Sequence, residues 1–225
     1  MITPALTALD WPHQYRIIPT CFPPINFFEG LLSPDLMEEL YIIESLTNDR
    51  LRDEAGNITL VAREDRVSGP GSSPVMAAFT HIGIPSRFSD GSYGVYYASR
   101  DVETAIEETK YHRARFLAYT REDPGAVEMR VYIGEVLKPM HDVRDARYDD
   151  LHNPDDWAPA QAVGKGLRQW NAWGIVYRSV RHPGGHCIAA LCPPAVSIPR
   201  QGDLLSYIWD GKNIATVFKK TLLYP

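Results

Sequence analysis

The sequence predicts an α+β fold with a mixed, mostly antiparallel sheet. Two patterns indicate this class: long helical segments come early in the chain, and strand-like segments cluster late. The 225 residues are 44% hydrophobic and 23% charged, a composition that can bury a core. This length fits one good-sized domain or a domain with an insertion, so residues 1–225 are treated as a single domain.

The first part of the chain carries two predicted strands and two predicted helices. Strands are predicted at 13–18, where Pro19 ends the segment, and at 57–62. A loop is expected at 68–74, and a short helix from Ser73 and Pro74 through Phe79. Ser33 and Pro34 have the residue types of a helix start, and an apolar stripe at helical spacing follows them: Leu36, Met37, Leu40, Ile43 and Leu46.

The later part carries most of the predicted strands. An apolar and aromatic strand at 94–98 precedes a helix that we expect Ser99 to cap, with Arg100 as its first residue and an end near Tyr119. The aspartate-rich segment 142–157 is predicted to be a surface loop, and 160–170 a helix. Further strands are predicted at 127–137, 174–178, 186–191, 204–209 and 214–221.

Charge and cysteine content exclude several classes of protein. The net charge of −5 and the pI near 5.8 provide no basic field for a phosphate backbone, so direct nucleic-acid binding is not expected. Local arginines can still bind a small anion. The three cysteines are few and odd in number, which favours a reduced, cytoplasmic protein over a disulfide framework. The sequence has no secretory signal pattern and no apolar run approaching ~18 residues, so no membrane span is predicted.

Two groups of residues invite a metal hypothesis, and neither has the required pattern. The spacing of His182, His186, Cys187 and Cys192 matches no four-ligand zinc site, and Pro183 to Gly185 predict a turn between strands. The aspartates of 142–156 lack the order of a calcium loop. No metal is therefore expected.

The segment from Arg87 to Glu108 carries the residues best suited to chemistry. Arg87 lies in a glycine- and serine-rich loop, a strand follows with Tyr96 and Tyr97, and the next helix carries Glu107 and Glu108. A strand–turn–helix connection brings the strand end close to the first helical turns. A guanidinium, a tyrosine ring and a carboxylate could then bind a phosphate, a flat heteroaromatic ring and a ribose hydroxyl.

Each of these residues also has a structural interpretation. Arg87 alone is more often a surface or ion-pair arginine, and a strand tyrosine is more often a core residue. Tyr96 and Tyr97 face opposite sides of a strand, so only one can enter a site, and the sequence leaves both candidates open.

The choice between the two glutamates rests on helix geometry. Glu107 and Lys110 are spaced for a solvated i,i+3 pair, whereas Glu108 lies on the side of His112 and Arg115. This favours Glu108 without excluding Glu107.

In the order of these residues the chain resembles the RES domain family, named for its arginine, glutamate and serine. The matching residues are Arg87 in an Arg-Phe loop, Tyr97 ten residues later, Glu108 eleven beyond that, and Ser179 after a downstream apolar strand. Arg16 stands where the family has a further arginine near its first strand, with Tyr15 beside it. The resemblance covers about residues 13–18 and 85–220, and it leaves about 23–80 as an N-terminal helical insertion.

The resemblance implies a fold similar to that of ADP-ribosyltransferases and the activity of a bacterial toxin that consumes NAD⁺. Family members cleave the nicotinamide–ribose bond, either depleting NAD⁺ by hydrolysis or phosphorolysis or transferring ADP-ribose to a protein. The resemblance also implies an Xre-like antitoxin partner, with toxin dimers within such complexes. The acceptor of ADP-ribose, whether water, phosphate or a protein side chain, stays open.

The resemblance further implies a role for each matching residue. Arg16, with Tyr15 beside it, and Arg87 are expected to bind the pyrophosphate or an attacking phosphate, and Tyr97 to stack on nicotinamide. Glu108 is expected to bind the ribose hydroxyls and stabilise positive charge as the bond breaks. Ser179 is expected to form a hydrogen bond in the nicotinamide pocket and not to act as a nucleophile.

Overall fold

The computed structural model describes residues 3–20, 56–221 and 223, and within them nine strands form one mixed sheet. Along the sheet the strand order is β1-β5-β6-β7-β3-β2-β4-β8-β9, and every neighbouring pair is antiparallel except β5 and β6. The strands are β1 Leu6–Thr7, β2 Gln14–Pro19, β3 Tyr96–Ser99, β4 Gly125–Gly134, β5 Met140–Asp142, β6 Gly174–Arg178, β7 His186–Ala190, β8 Arg200–Trp209 and β9 Ile214–Lys220.

Helices pack on both faces of this sheet. They are α1 Ser73–Thr80, α2 Val102–Thr120 and α3 Ala158–Gln169, with 3₁₀ turns at Ile58–Leu60, Arg63–Asp65, Ala146–His152 and Pro193–Ala195. The α+β class with a largely antiparallel sheet is thus confirmed. Within the described ranges, no helix has the length and apolar character needed to cross a bilayer.

Neighbouring residues of the central strands pack into different cores, as strand alternation requires. Tyr96 and Ile188 join the buried cluster that includes Val75, Met76 and Phe79 of α1. Tyr97 and Ala189 pack into the cluster that includes Leu167 of α3. Both faces of the centre of the sheet are therefore covered, which explains why β6 and β7 are almost continuously apolar.

Helix α2 is fixed at its start and along its length. The Asp101 carboxylate accepts hydrogen bonds from the Thr104 backbone N–H at 2.8 Å and from its hydroxyl at 2.6 Å. The hydroxyls of Thr109 and Tyr207 lie 2.8 Å apart, which joins α2 to β8. Ala105 and Leu117 of α2 are buried against the β4–β8–β9 part of the sheet.

The sheet opens between β2 and β3. Strand β2 pairs with β4 over six residues, but with β3 only at Tyr15 and Ser99. Beyond that pair, the Arg16 side chain extends from β2 toward β3, and its Nη1 donates to the Tyr97 carbonyl at 3.0 Å. This opening lies beneath α2 and begins the cavity described below.

Helix α3 holds the loop that precedes β3. Gln161 Nε2 donates to the carbonyls of Ser86 and Ser89 at 3.0 and 3.2 Å. The backbone of Phe88 passes so close to Gly164 that a Cβ atom there would overlap the Phe88 carbonyl. The contact therefore requires glycine.

Two local predictions were wrong. Residues 57–62 do not form a strand, because the Asn57 side chain accepts from the Thr59 N–H and begins a 3₁₀ turn. Ser99 does not cap α2: it is the last residue of β3, and the helix begins at Val102 with Asp101 as its cap.

Other boundaries also differ from the predictions. Strand β4 runs from Gly125 to Gly134 instead of 127–137. Segment 142–157 is not a simple surface loop, since it contains a 3₁₀ turn and buries Leu151. The helix predicted after Ser33 lies outside the described residues.

Candidate active site

A cavity of about 320 Å³ lies where the sheet opens between β2 and β3. Its wall combines side chains of both strands with side chains of α2 and of three loops. The lining residues are Tyr15, Arg16 and Ile17 of β2; Ile84, Pro85, Ser86 and Arg87 before β3; Tyr97, Ala98 and Ser99 of β3; Ala105, Glu108, Thr109 and His112 of α2; and Trp157, Tyr177, Val180, Arg181 and Cys187. Five of the six residues predicted for the site are therefore brought together around one space.

Glu108 contributes the carboxylate of this cavity, and Ser179 orients it. The Ser179 hydroxyl donates to Glu108 Oε1 at 2.6 Å. It also accepts hydrogen bonds from the backbone N–H groups of Arg181 and His182, at 3.1 and 2.9 Å. The Glu108 side chain is 16% exposed. Ser179 was expected in the pocket itself, but it does not line the cavity; it lies behind the carboxylate.

Glu107 points elsewhere. Its carboxylate lies 2.8 Å from the Lys110 ammonium, and its side chain is 40% exposed. The i,i+3 pair suggested by the spacing is formed, and Glu107 is not part of the cavity wall.

The two tyrosines of β3 face opposite sides. Tyr97 lines the cavity, and its hydroxyl accepts from the Phe88 N–H at 3.0 Å and lies 2.9 Å from the Ser86 hydroxyl. Burial raises the pKa of Tyr97 to about 12, partly offset by these hydrogen bonds, so the phenol is neutral. Tyr96 is fully buried, and Gln14 Nε2 donates to its hydroxyl at 2.9 Å.

Arg87 is buried in the wall, with 8% of the residue exposed. Its Nη1 donates to the carbonyls of Leu151 and Asn153, at 3.0 and 2.9 Å. Part of this guanidinium is therefore committed to holding the end of the Ala146–His152 turn and the residue that follows it.

Arg16 lies over the opening of the sheet. Its guanidinium stacks on the Tyr96 ring, 4.6 Å from the centroid, and one nitrogen donates to the Tyr97 carbonyl. Its Nε is buried and has no hydrogen-bond partner among the described residues. Burial lowers the pKa of Arg16 from its ordinary value. Tyr15, the neighbour on β2, also lines the cavity.

Comparisons with known proteins identify the family of this chain. The model of the RES domain matches residues 63–210. The chain belongs to the RES domain family. A relative from Sinorhizobium fredii (strain NBRC 101917 / NGR234), the uncharacterized protein y4oC, is 32% identical over 206 residues, or 91% of this chain and 86% of that protein.

One solved structure is similar to part of this chain. It is the crystal structure of the M. tuberculosis MbcT–MbcA toxin–antitoxin complex, with a TM-score of 0.41 and 16% identity. The similarity covers 56% of this chain and 72% of the compared chain.

The lining residues of this RES domain that were not predicted include His112, Trp157 and Arg181. His112 lies one helical turn after Glu108, a spacing that could have indicated it. Trp157 and Arg181 come from loops, and their position depends on long-range contacts. The Arg181 guanidinium stacks 3.4 Å from the centroid of Tyr111 and donates to the Pro154 carbonyl at 3.1 Å.

Positive charge prevails in the wall of this cavity. Arg16, Arg87 and Arg181 contribute three guanidiniums, against the single carboxylate of Glu108. The chain as a whole carries −5, so the cavity has the opposite sign to the net charge. Arginines at this density favour an anionic ligand, and the carboxylate provides one place for a positive centre.

The residues first considered as metal ligands are separated in the fold. His182 Nδ1 lies 2.8 Å from the Thr104 hydroxyl, and His186 lies between Arg100 and Arg144. Cys187 is buried in β7, while Cys192 lies beyond the end of that strand. Across residues 3–20, 56–221 and 223, no group of three or more His, Cys, Asp or Glu side chains could hold a metal ion.

Proposed function

We propose that this RES domain cleaves the nicotinamide–ribose bond of NAD⁺ and acts as a growth-inhibiting toxin. The observation that carries the proposal is the Glu108 carboxylate, oriented by Ser179 and facing a cavity that also holds the Tyr97 ring and three guanidiniums. This set matches the parts of NAD⁺: two phosphates, an aromatic cation and a ribose that becomes positively charged during cleavage.

In the proposed reaction the bond between ribose C1′ and the nicotinamide nitrogen breaks. The bonding electron pair goes to that nitrogen and neutralises it, while the ribose gains oxocarbenium character. A carboxylate fixed near the ribose stabilises that charge without having to reorganise. Ser179 serves this role indirectly, because its hydrogen bond fixes the direction of the carboxylate.

The arginines suit the pyrophosphate. Arg16 keeps its buried Nε without a partner among the described residues, so it retains a donor for a phosphate oxygen. Arg87 uses Nη1 for two backbone carbonyls, and its charge still acts across the cavity. Tyr97 offers an aromatic face in the same wall, and we assign it to nicotinamide.

Membership of the RES family supports the remaining parts of the proposal. We propose a fold similar to that of ADP-ribosyltransferases and an Xre-like antitoxin that silences the enzyme in the cell. We expect the antitoxin to be a small helix-turn-helix protein encoded by a gene next to the gene of this protein.

The decisive experiment follows free nicotinamide by NMR after purified protein is mixed with NAD⁺, with and without phosphate. Release of nicotinamide without any protein acceptor is expected from the wild type. Glu108→Gln should abolish it, and Glu107→Gln should retain it as the matched control. A wild type that releases no nicotinamide, or a Glu108→Gln variant as active as wild type, overturns the proposal.

The same preparation identifies the acceptor. ADP-ribose as product indicates hydrolysis, and ADP-ribose 1″-phosphate indicates phosphorolysis. If bulk NAD⁺ is stable but labelled NAD⁺ modifies one protein band in a lysate, the chain is a mono-ADP-ribosyltransferase. In cells, expression of the wild type should arrest growth, and expression of Glu108→Gln should not.

A further inference from the structure

His112 is a titratable group of the cavity wall that lies beside Glu108. It lies one turn later on α2, and its Nε2 is 4.0 Å from Glu108 Oε2. This is longer than a direct hydrogen bond, and it allows one oxygen atom of a small acceptor to contact both groups. The His112 side chain is 56% exposed, so this point of the cavity is also open to solvent.

Charged groups from three parts of the chain face the imidazole. Partial burial lowers the pKa of His112; Glu108 acts in the opposite direction, and Arg181, Arg87 and Arg115 lower it further. Trp157 packs beside the ring, with centroids 6.4 Å apart. The neutral imidazole therefore predominates at neutral pH, and a neutral imidazole can accept a proton.

Glu108 is poorly suited to take a proton in the proposed reaction. Its Oε1 accepts the short hydrogen bond from Ser179, and its negative charge is needed while the ribose is cationic. His112 has no such conflict, because the gain of a proton after the acceptor bonds to C1′ does not remove the carboxylate.

We propose that His112 is a catalytic base that accepts the proton of the attacking water. This inference rests on the proposed NAD⁺ cleavage. As the C1′–nitrogen bond breaks and its electron pair goes to nicotinamide, the water oxygen bonds to C1′, and one water proton goes to His112 Nε2. The products are nicotinamide and ADP-ribose, and the imidazolium then releases its proton to solvent.

The test uses His112→Gln and His112→Ala, with His141→Gln as the matched control. His141 lies on β5 away from the cavity, and its Nδ1 contacts the Pro4 carbonyl at 2.8 Å. We expect kcat for nicotinamide release in water to fall ~10²-fold in both His112 variants, with KM little changed. Because the pKa of His112 is lowered from its ordinary 6.5, the wild-type rate should fall with acidification below about pH 6.5, and that dependence should be absent in His112→Gln.

An anionic acceptor separates base catalysis from a structural role. Azide needs no proton acceptor, so azide should restore the rate of His112→Ala and yield ADP-ribosyl azide. Circular dichroism establishes that both variants are folded. Three results overturn the inference. They are a wild-type kcat in His112→Gln, a pH profile of His112→Gln that equals that of the wild type, or a raised KM in His112→Ala without rescue by azide. A wild type that releases no nicotinamide overturns the proposed function and this inference with it.

Discussion

Ser179 Oγ donates to Glu108 Oε1 at 2.6 Å, although the two residues are 71 positions apart in the chain. The two backbone N–H groups that donate to the same hydroxyl direct its proton toward the carboxylate. A serine that follows a strand thereby sets the orientation of a glutamate on a helix, and the proposed chemistry depends on that orientation.

Replacement of Ser179 should therefore lower activity through Glu108. A hydrogen bond to a charged group contributes about 1.5–3 kcal/mol, so Ser179→Ala should reduce nicotinamide release by roughly 10- to 150-fold. Ser179→Thr keeps the hydroxyl and should retain more activity. Ser206→Ala is the control, because Ser206 donates to Glu128 in a similar way at 2.9 Å outside the cavity. Equal rates for all three variants would contradict the role of Ser179.

The tyrosines of β3 should separate stability from activity. Tyr97→Phe keeps the ring in the cavity but leaves the Phe88 N–H without its acceptor, so the free energy of unfolding should fall by about 1–3 kcal/mol while most activity remains. Tyr97→Leu removes the ring and should lower activity by about a further tenfold. Urea unfolding and nicotinamide release measure the two effects.

Tyr96→Phe is the control for these variants, because Tyr96 lies on the opposite face of β3. It leaves the buried Gln14 amide without the hydroxyl, so a similar loss of stability is expected, with unchanged activity. Loss of activity in Tyr96→Phe alone would place the functional tyrosine on the other face of β3.

The sequence predicted that an arginine, a tyrosine and a carboxylate of this segment converge, because strand-turn-helix geometry is local. The choice of Tyr97 over Tyr96 came from the resemblance to the RES domain family. Periodicity also explains why Glu107 pairs with Lys110 while its neighbour faces the cavity. Where an apolar pattern extends over a whole element, as in strand β6 and helix α2, the sequence alone could predict whether that element is a strand or a helix.

The rest depends on contacts that the sequence does not contain. Nothing local indicates that Ser179 reaches Glu108, or that the Arg87 guanidinium binds the carbonyls of Leu151 and Asn153. The error at 57–62 has a local cause: apolar Ile58 and Leu60 resemble strand alternation, but the Asn57 side chain caps a 3₁₀ turn.

Gly164 should be sensitive to the smallest substitution. Gly164→Ala would drive a Cβ into the Phe88 carbonyl and displace the loop that carries Arg87, so both the melting temperature and NAD⁺ cleavage should fall. Gly166→Ala, on the same helix, meets nothing within 4 Å and should stabilise the protein by up to about 1 kcal/mol. Thermal unfolding of the pair tests this, and an equal effect of both substitutions would contradict the close contact.

The cap of α2 should make stability depend on acid pH. Hydrogen bonds from Thr104 and the charge of Arg100 outweigh partial burial, which acts in the other direction, so the pKa of Asp101 lies below its ordinary 3.8. A carboxyl with a depressed folded-state pKa contributes stability above the unfolded-state pKa, and that contribution is lost as pH falls through the folded-state value.

Asp101→Ala should cost about 0.5–2 kcal/mol at neutral pH. By urea unfolding, this cost should shrink below about pH 4, where the wild type begins to lose its own carboxylate. Asp101→Asn keeps an acceptor at the cap and should cost less at neutral pH. A cost for Asp101→Ala that is the same at neutral and acid pH would mean that the Asp101 charge does not stabilise the start of the helix that carries Glu108.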